Sequence, residues 1–121
     1  KNKLHTKLYK VLTNDEWEAA SQSGQIITQL DHADGFIHLS SAGQLNMTLS
    51  LYFSQEESVV LLEINEQEIE ASLTYEYSAK RGEKFAHFYG ELSIKKISQL
   101  WYLNRNAFSL PSEVMLEAEQ V

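Results

Sequence analysis

The 121-residue chain contains four histidines, and two of them sit in the same kind of setting. His38 lies in Phe36-Ile37-His38-Leu39-Ser40, and His87 lies in Phe85-Ala86-His87-Phe88-Tyr89. In an extended strand, alternate side chains share a face. Phe36, His38 and Ser40 then line one surface, and Phe85, His87 and Tyr89 line one surface of the second segment. Each surface offers an imidazole in an apolar wall with a hydroxyl two positions on. A single histidine of this kind reads as a core residue bonded to backbone. Two with one pattern point instead to a pocket lined by His38, Ser40, His87 and Tyr89. Imidazole titrates near neutral pH, so His38 and His87 are the catalytic candidates for acid–base work.

Other chemistry is thinner. His38-Leu39-Ser40 fits half of the paired H-x-S/T signature of two-histidine phosphoesterases, but His87-Phe88-Tyr89 ends in tyrosine and does not complete it. His32, Asp34 and His38 imitate a metal set, yet their spacing matches no helical or finger pattern, so no metal is expected. His5 lies in a polar N-terminal stretch and reads as solvated. The chain has no cysteine, which removes disulfides, thiolate metal sites and a cysteine nucleophile. Neither a G-x-G-x-x-G, a P-loop nor a G-x-S-x-G occurs, so dinucleotide-fold, P-loop and hydrolase-elbow readings fall away.

The elements that must position these residues follow from periodicity and caps. Residues 7–12 alternate and favour a strand. Thr13-Asn14-Asp15-Glu16 is a capping box that opens a helix ended by Gly24. Residues 25–34 carry mixed signals before the Asp34-Gly35 turn pair. Phe36 to Leu39 is a short apolar segment. Ser41 with Gln44 is a second capping box, and Leu45, Leu49, Tyr52 and Phe53 form one stripe on the helix behind it. Ser58 to Ile64 reads as a central strand covered on both faces. Asn65 to Ile69 reads as one helical turn, Leu73 to Tyr77 as a half-buried strand, and Lys80 to Lys84 as a loop. Phe85 to Gly90 is extended, Ile97 to Leu103 is the last strand, and Ser109-Leu110-Pro111 opens a C-terminal helix. The fold expected is a single α+β domain over 1–121, with small, mostly antiparallel sheets and two or three short helices.

Charge distribution narrows the partners. Formal net charge is −7, and every lysine and arginine lies at positions 1–10 or 80–105. Residues 11–79 hold twelve Asp and Glu and no cation. Duplex nucleic acid favours a basic face, so it is not an expected partner. Lys80-Arg81-Gly82-Glu83-Lys84 is the one local place for an anion; its plain alternative is a solvated turn. No apolar run approaches a membrane span, and the start has no signal-peptide apolar region. The chain opens on Lys1, as a trimmed chain would. A cytoplasmic monomer or weak dimer is expected.

At Asp34-Gly35-Phe36-Ile37-His38-Leu39-Ser40 the chain resembles the small bacterial family of domain of unknown function 952 (DUF952). The resemblance runs through Leu8-Tyr9-Lys10-Val11-Leu12, Trp17, the Val60-Leu61-Leu62-Glu63 strand, Arg81-Gly82 and His87-Phe88-Tyr89-Gly90-Glu91-Leu92. The family usually has proline before its second motif histidine and after the glycine, where this chain has Ala86 and Glu91. The resemblance implies the ADP-ribosylation fold, two small antiparallel sheets flanking a cleft, shared by ADP-ribosyltransferases and RNA 2′-phosphotransferases. By that likeness Phe36 to Ser41 would line a nicotinamide pocket. Tyr9 and Lys10 would stand where those enzymes place their first-motif histidine or arginine. Their third-motif glutamate has no clear counterpart in this chain: Glu91 is one candidate, with His87 or Tyr89 as alternative occupants of that wall.

Two classes of function follow. In the first, a nucleotide-like ligand, with NAD as substrate, lies between the sheets of a transferase-type enzyme. Arg81, Lys80 or Lys10 meets its phosphates, Phe36, Tyr89 or Phe88 stacks on its ring, and His38 or His87 moves the proton. In the second, a non-catalytic module binds a metabolite or protein in the same place.

Overall fold

The computed structural model describes residues 6–104 and 110–119. His5, Arg105 and Ser109 fall outside them. Six strands form two three-stranded antiparallel sheets. The first is β1 (Lys7–Leu12), β3 (Ser58–Asn65) and β6 (Ile97–Asn104), with β3 in the middle. The second is β2 (Ile37–Leu39), β5 (Glu83–Phe88) and β4 (Leu73–Ser78), with β5 in the middle. The helices are α1 (Asn14–Ser23), α2 (Gln29–Asp34), α3 (Leu45–Tyr52) and α4 (Ser112–Glu119). Four helices therefore stand where two or three were expected, because the ambiguous stretch at 25–34 contains α2. Ala42–Gln44, capped by Ser41, is a short 3₁₀ turn before α3, and three further turns of this kind occupy Glu66–Glu68, Glu70–Ser72 and Ile94–Lys96.

Local chemistry explains the helix starts. Thr13 Oγ1 accepts from the Glu16 amide at 3.1 Å, and the Thr13 amide donates to Glu16 Oε1 at 2.9 Å. Thr28 and Asp31 repeat this arrangement with an aspartate at the third position, at 3.1 and 3.0 Å. Each box satisfies two helix-end amides. Gly35 ends α2 at φ 83°, a left-handed conformation in which a side chain would be strained.

The alternation of each strand sets what lies on either side of each sheet. Leu8, Leu12, Val60, Leu62 and Ile64 of the first sheet meet Ile37, Leu39, Ala86 and Phe88 of the second in one buried cluster. The space between the sheets is therefore filled. The other face of the first sheet, with Tyr9, Val11, Val59 and Leu61, is covered by Leu45, Leu49 and Val114 of α3 and α4. Burial on both faces is what a continuous apolar β3 requires. Tyr52 leaves the predicted α3 stripe and is 47% exposed. The sheets are stitched by reciprocal backbone bonds between Tyr9 and Ser40, at 2.8 and 2.9 Å. With Ile37 and Leu39 turned inward, Phe36, His38 and Ser40 must stand on the outer face of the second sheet.

Candidate functional site

That outer face gathers most of the residues singled out in the sequence. His38 on β2 is the direct register partner of His87 on β5, and their ring centroids are 5.6 Å apart. The two imidazoles are neighbours on one sheet, not residues on opposing walls. Phe36 stacks on His87 with centroids 3.9 Å apart, and its ring lies 4.7 Å from His38 and 5.5 Å from Tyr89. The side chains of His38 and His87 remain 31% and 12% exposed.

Each imidazole is oriented by its own carboxylate. His38 Nδ1 lies 2.7 Å from Asp31 Oδ1, and its Nε2 lies 2.9 Å from Asp34 Oδ2. His87 Nδ1 lies 2.6 Å from Glu76 Oε1, which also accepts from the Tyr89 hydroxyl at 2.8 Å. On His87 a carboxylate on one ring nitrogen orients the ring and leaves the other nitrogen for chemistry, whereas both nitrogens of His38 face carboxylates. The hydrogen bond from His87, joined by that from Tyr89, holds the Glu76 carboxyl below its usual range. The same contact with Glu76 raises the Tyr89 phenol.

Asp31 and Glu76 were not singled out by sequence reasoning, and each had a signal. Thr28-Gln29-Leu30-Asp31 is a capping box once aspartate is admitted at its last position. Thr74 and Glu76 alternate with Tyr75 and Tyr77, so they share a face that β5 pairing turns toward His87. Glu91, the carboxylate suggested by the resemblance, instead accepts from Gln25 at 3.1 Å.

Lys10 and Tyr9 lie beneath this surface. Lys10 is buried, and its ammonium donates to Asp31 Oδ1 at 3.0 Å and to the His38 carbonyl at 3.0 Å, and pairs with Asp31 Oδ2 at 2.9 Å. Its place is behind His38, tying Asp31 and β2 together. Burial pulls the Lys10 ammonium down from its ordinary value, and Asp31 opposes that shift. For Asp31, burial pushes upward but is outweighed by hydrogen bonds from His38 and by the charge and hydrogen bond of Lys10, so its carboxyl falls to about 2. Tyr9 is 1% exposed, with its hydroxyl donating to Glu63 at 3.2 Å. Burial, followed by the Glu63 charge, raises this phenol.

The far end of the same face holds a cation. Arg81 lies over the Phe85 ring at 4.5 Å and near Tyr52 at 5.7 Å, and both terminal guanidinium nitrogens reach Thr48 Oγ1 at 3.4 Å. Thr48 Oγ1 is also 3.2 Å from Ser40 Oγ. Gly82, at φ 74°, makes the turn that brings Arg81 back over the sheet. Phe85 and His87 are alternate residues of β5, about 7 Å apart along the strand and on one face. Ser41 contributes its amide to Gln44 Oε1 at 3.0 Å and opens the turn that leads into α3. His32 is exposed and does not join Asp34 and His38, and among the described residues no three His, Asp or Glu side chains are placed to hold a metal. No helix among them is long and apolar enough to cross a membrane.

Comparison with known proteins places this geometry in a family. The family described as "Protein of unknown function (DUF952)" matches residues 11–100. The crystal structure of protein CC0527 from Caulobacter crescentus is similar at a TM-score of 0.81 and 30% identity, covering 91% of this chain and 99% of that one. The solution structure of CC0527 gives a TM-score of 0.69 and 33% identity, covering 81% of this chain and 84% of that one. No curated protein matches. The chain belongs to the DUF952 family.

Proposed function

We propose that this DUF952 chain binds a nucleotide-like ligand, of the NAD or ADP-ribose kind, on the outer face of its second sheet and processes it by acid–base group transfer through His38 and His87. The observation that carries this reading is the pair of imidazoles side by side, each with Nδ1 on a separate carboxylate. That arrangement orients two proton-transfer groups toward one small volume. Arg81 takes a phosphate at the Phe85 end, with the Ser40 and Thr48 hydroxyls as further hydrogen-bonding groups. The exposed Tyr89 ring and the edge of Phe36 offer an aromatic surface to a base. Phe85, under the Arg81 guanidinium, and His87 are two residues apart on one strand face, so the cation and the imidazoles address one ligand.

The motif order that resembles ADP-ribosylation enzymes supports a transferase-type reading, in which Glu76 is the fixed negative charge beside the reacting sugar. A two-histidine phosphoesterase reading is favoured by the paired dyads themselves. The two differ in the bond broken and in whether an acceptor hydroxyl or water receives the group.

The test is a thermal-shift series with NAD, ADP-ribose and mononucleotides on the wild-type chain and on Arg81→Ala, followed by product analysis. Nucleotide-dependent stabilisation that weakens in Arg81→Ala, with product formed, supports the reading. Stabilisation without product identifies a non-catalytic binding module. No stabilisation by any of these ligands overturns the proposal.

A further inference from the structure

The two histidines are not equivalent, and their hydrogen-bond partners separate their roles. Both ring nitrogens of His38 face carboxylate oxygens, Asp31 Oδ1 at 2.7 Å and Asp34 Oδ2 at 2.9 Å. An ionised carboxylate only accepts, so each nitrogen must carry a hydrogen. Asp31 is not the bearer of the shared proton. Its oxygens already accept from Lys10 Nζ, the Thr28 amide and the His38 amide, and all of these groups are donors. Asp34 is 42% exposed and solvated. The charges that meet at His38 are then Asp31 and Asp34 against Lys10 and the ring itself, two anions against two cations.

His87 has one carboxylate. Its Nδ1 faces Glu76 Oε1 at 2.6 Å, and that oxygen is already held by the Tyr89 hydroxyl. Among the described residues no polar group meets Nε2. A hydrogen on Nδ1 places the lone pair on Nε2, on the face shared with His38, whose ring centroid is 5.6 Å away.

Resting on the nucleotide reading above, we infer that His38 is the proton donor and His87 the proton acceptor of this site, and that the substrate class is a phosphodiester whose departing oxygen must be protonated to leave as an alcohol. The leaving group selects the class. Nicotinamide departs from its ribose as a neutral base and needs no proton at departure. An alcohol departing from phosphorus needs one, so a donor beside an acceptor serves the phosphodiester.

The step balances. His87 Nε2 removes a proton from water, whose oxygen forms the new bond to phosphorus. The bond from phosphorus to the departing oxygen breaks, and its electron pair stays on that oxygen. His38 Nε2 releases its proton to the same oxygen as Asp34 swings aside. The products are a phosphomonoester and an alcohol. His87 is left charged and His38 neutral, and proton exchange with water resets both.

Two measurements on the full chain test this. Nitrogen-15 spectra of the imidazole rings at neutral pH read proton positions directly, with or without turnover. The expected result is a hydrogen on both nitrogens of His38 and on Nδ1 alone of His87. The second is hydrolysis of a nucleoside 2′,3′-cyclic phosphate, compared with release of nicotinamide from NAD. Cyclic phosphate hydrolysis that drops at least about 100-fold in both His38→Ala and His87→Ala supports the assignment. A neutral His38 with a doubly protonated His87 overturns the division of roles while leaving the ligand reading intact. Nicotinamide release without phosphodiester cleavage overturns the substrate class. Binding of no nucleotide at all overturns the underlying reading and this inference with it.

Discussion

His38 and His87, separated along the chain by a helix and two strands, are register partners on adjacent antiparallel strands, with ring centroids 5.6 Å apart. Cross-strand pairing alone brings them together, and two carboxylates from outside that pair, Asp31 on α2 and Glu76 on β4, decide which way each ring points. The predictions below separate the parts of this arrangement that hold the fold from those that do chemistry.

His87→Ala should abolish turnover while costing only about 1 kcal/mol of stability, the scale of the lost stacking with Phe36. Urea unfolding and product assays on the same preparation check this. A stability loss of about 3 kcal/mol or more would instead mark His87 as a structural residue.

Asp31→Ala should be far more damaging, because it leaves the Lys10 ammonium buried without its carboxylate. A loss of about 3–5 kcal/mol is expected. Replacing both partners, Lys10→Met with Asp31→Leu, should restore much of that loss in the same unfolding experiment, since neither charge then remains stranded. Failure of the double variant to recover would mean that Asp31 stabilises chiefly through His38 and the Thr28 cap.

Acid stability should follow Asp31. Its carboxyl lies at about 2 in the folded chain against an ordinary value of 3.8. A lowered folded-state value means that the unfolded chain binds the proton first, so the stabilisation is complete above about pH 4 and is lost as pH falls toward 2. The gap corresponds to about 2 kcal/mol. Unfolding free energies measured across this range should fall with acid in the wild type, and the fall should be shallower in Asp31→Asn by about this amount.

Glu76→Gln should leave the fold intact and reduce turnover on the order of 10²-fold or more. Glutamine can donate to His87 Nδ1, which moves the ring hydrogen to Nε2 and removes the accepting lone pair. Tyr89→Phe, which removes one hydrogen bond to Glu76 and leaves the carboxylate, should cost much less. Equal losses in the two variants would argue that the Tyr89 hydroxyl acts on the ligand directly.

Much of this arrangement was legible along the chain. The Thr13 and Ser41 caps, the buried β3 run and the alternation of both histidine segments are local patterns, and each appears as expected. Arg81 was visible as the cation of a glycine turn and does stand at the edge of the histidine face. Lys10 was read as a phosphate contact, whereas its side chain is buried on Asp31. Nothing in the sequence around Lys10 distinguishes an exposed lysine from a buried one, because β1 reads simply as a strand. Helix α2 stayed ambiguous because a helix of six residues is too short to show a period.

The sequence by itself determined which side chains share a strand face, since the two-residue period of a strand is a local property of the backbone. It therefore determined that each imidazole stands with a hydroxyl two positions on, opposite an apolar row. Only the tertiary structure decided that the two faces are one surface, that it is the outer side of the second sheet, and that Asp31, Asp34 and Glu76 are its carboxylates. Those facts depend on the pairing of β2 with β5 and on α2 docking beside β2. Such contacts join residues distant along the chain, and they are selected by burial of the whole apolar set between the sheets.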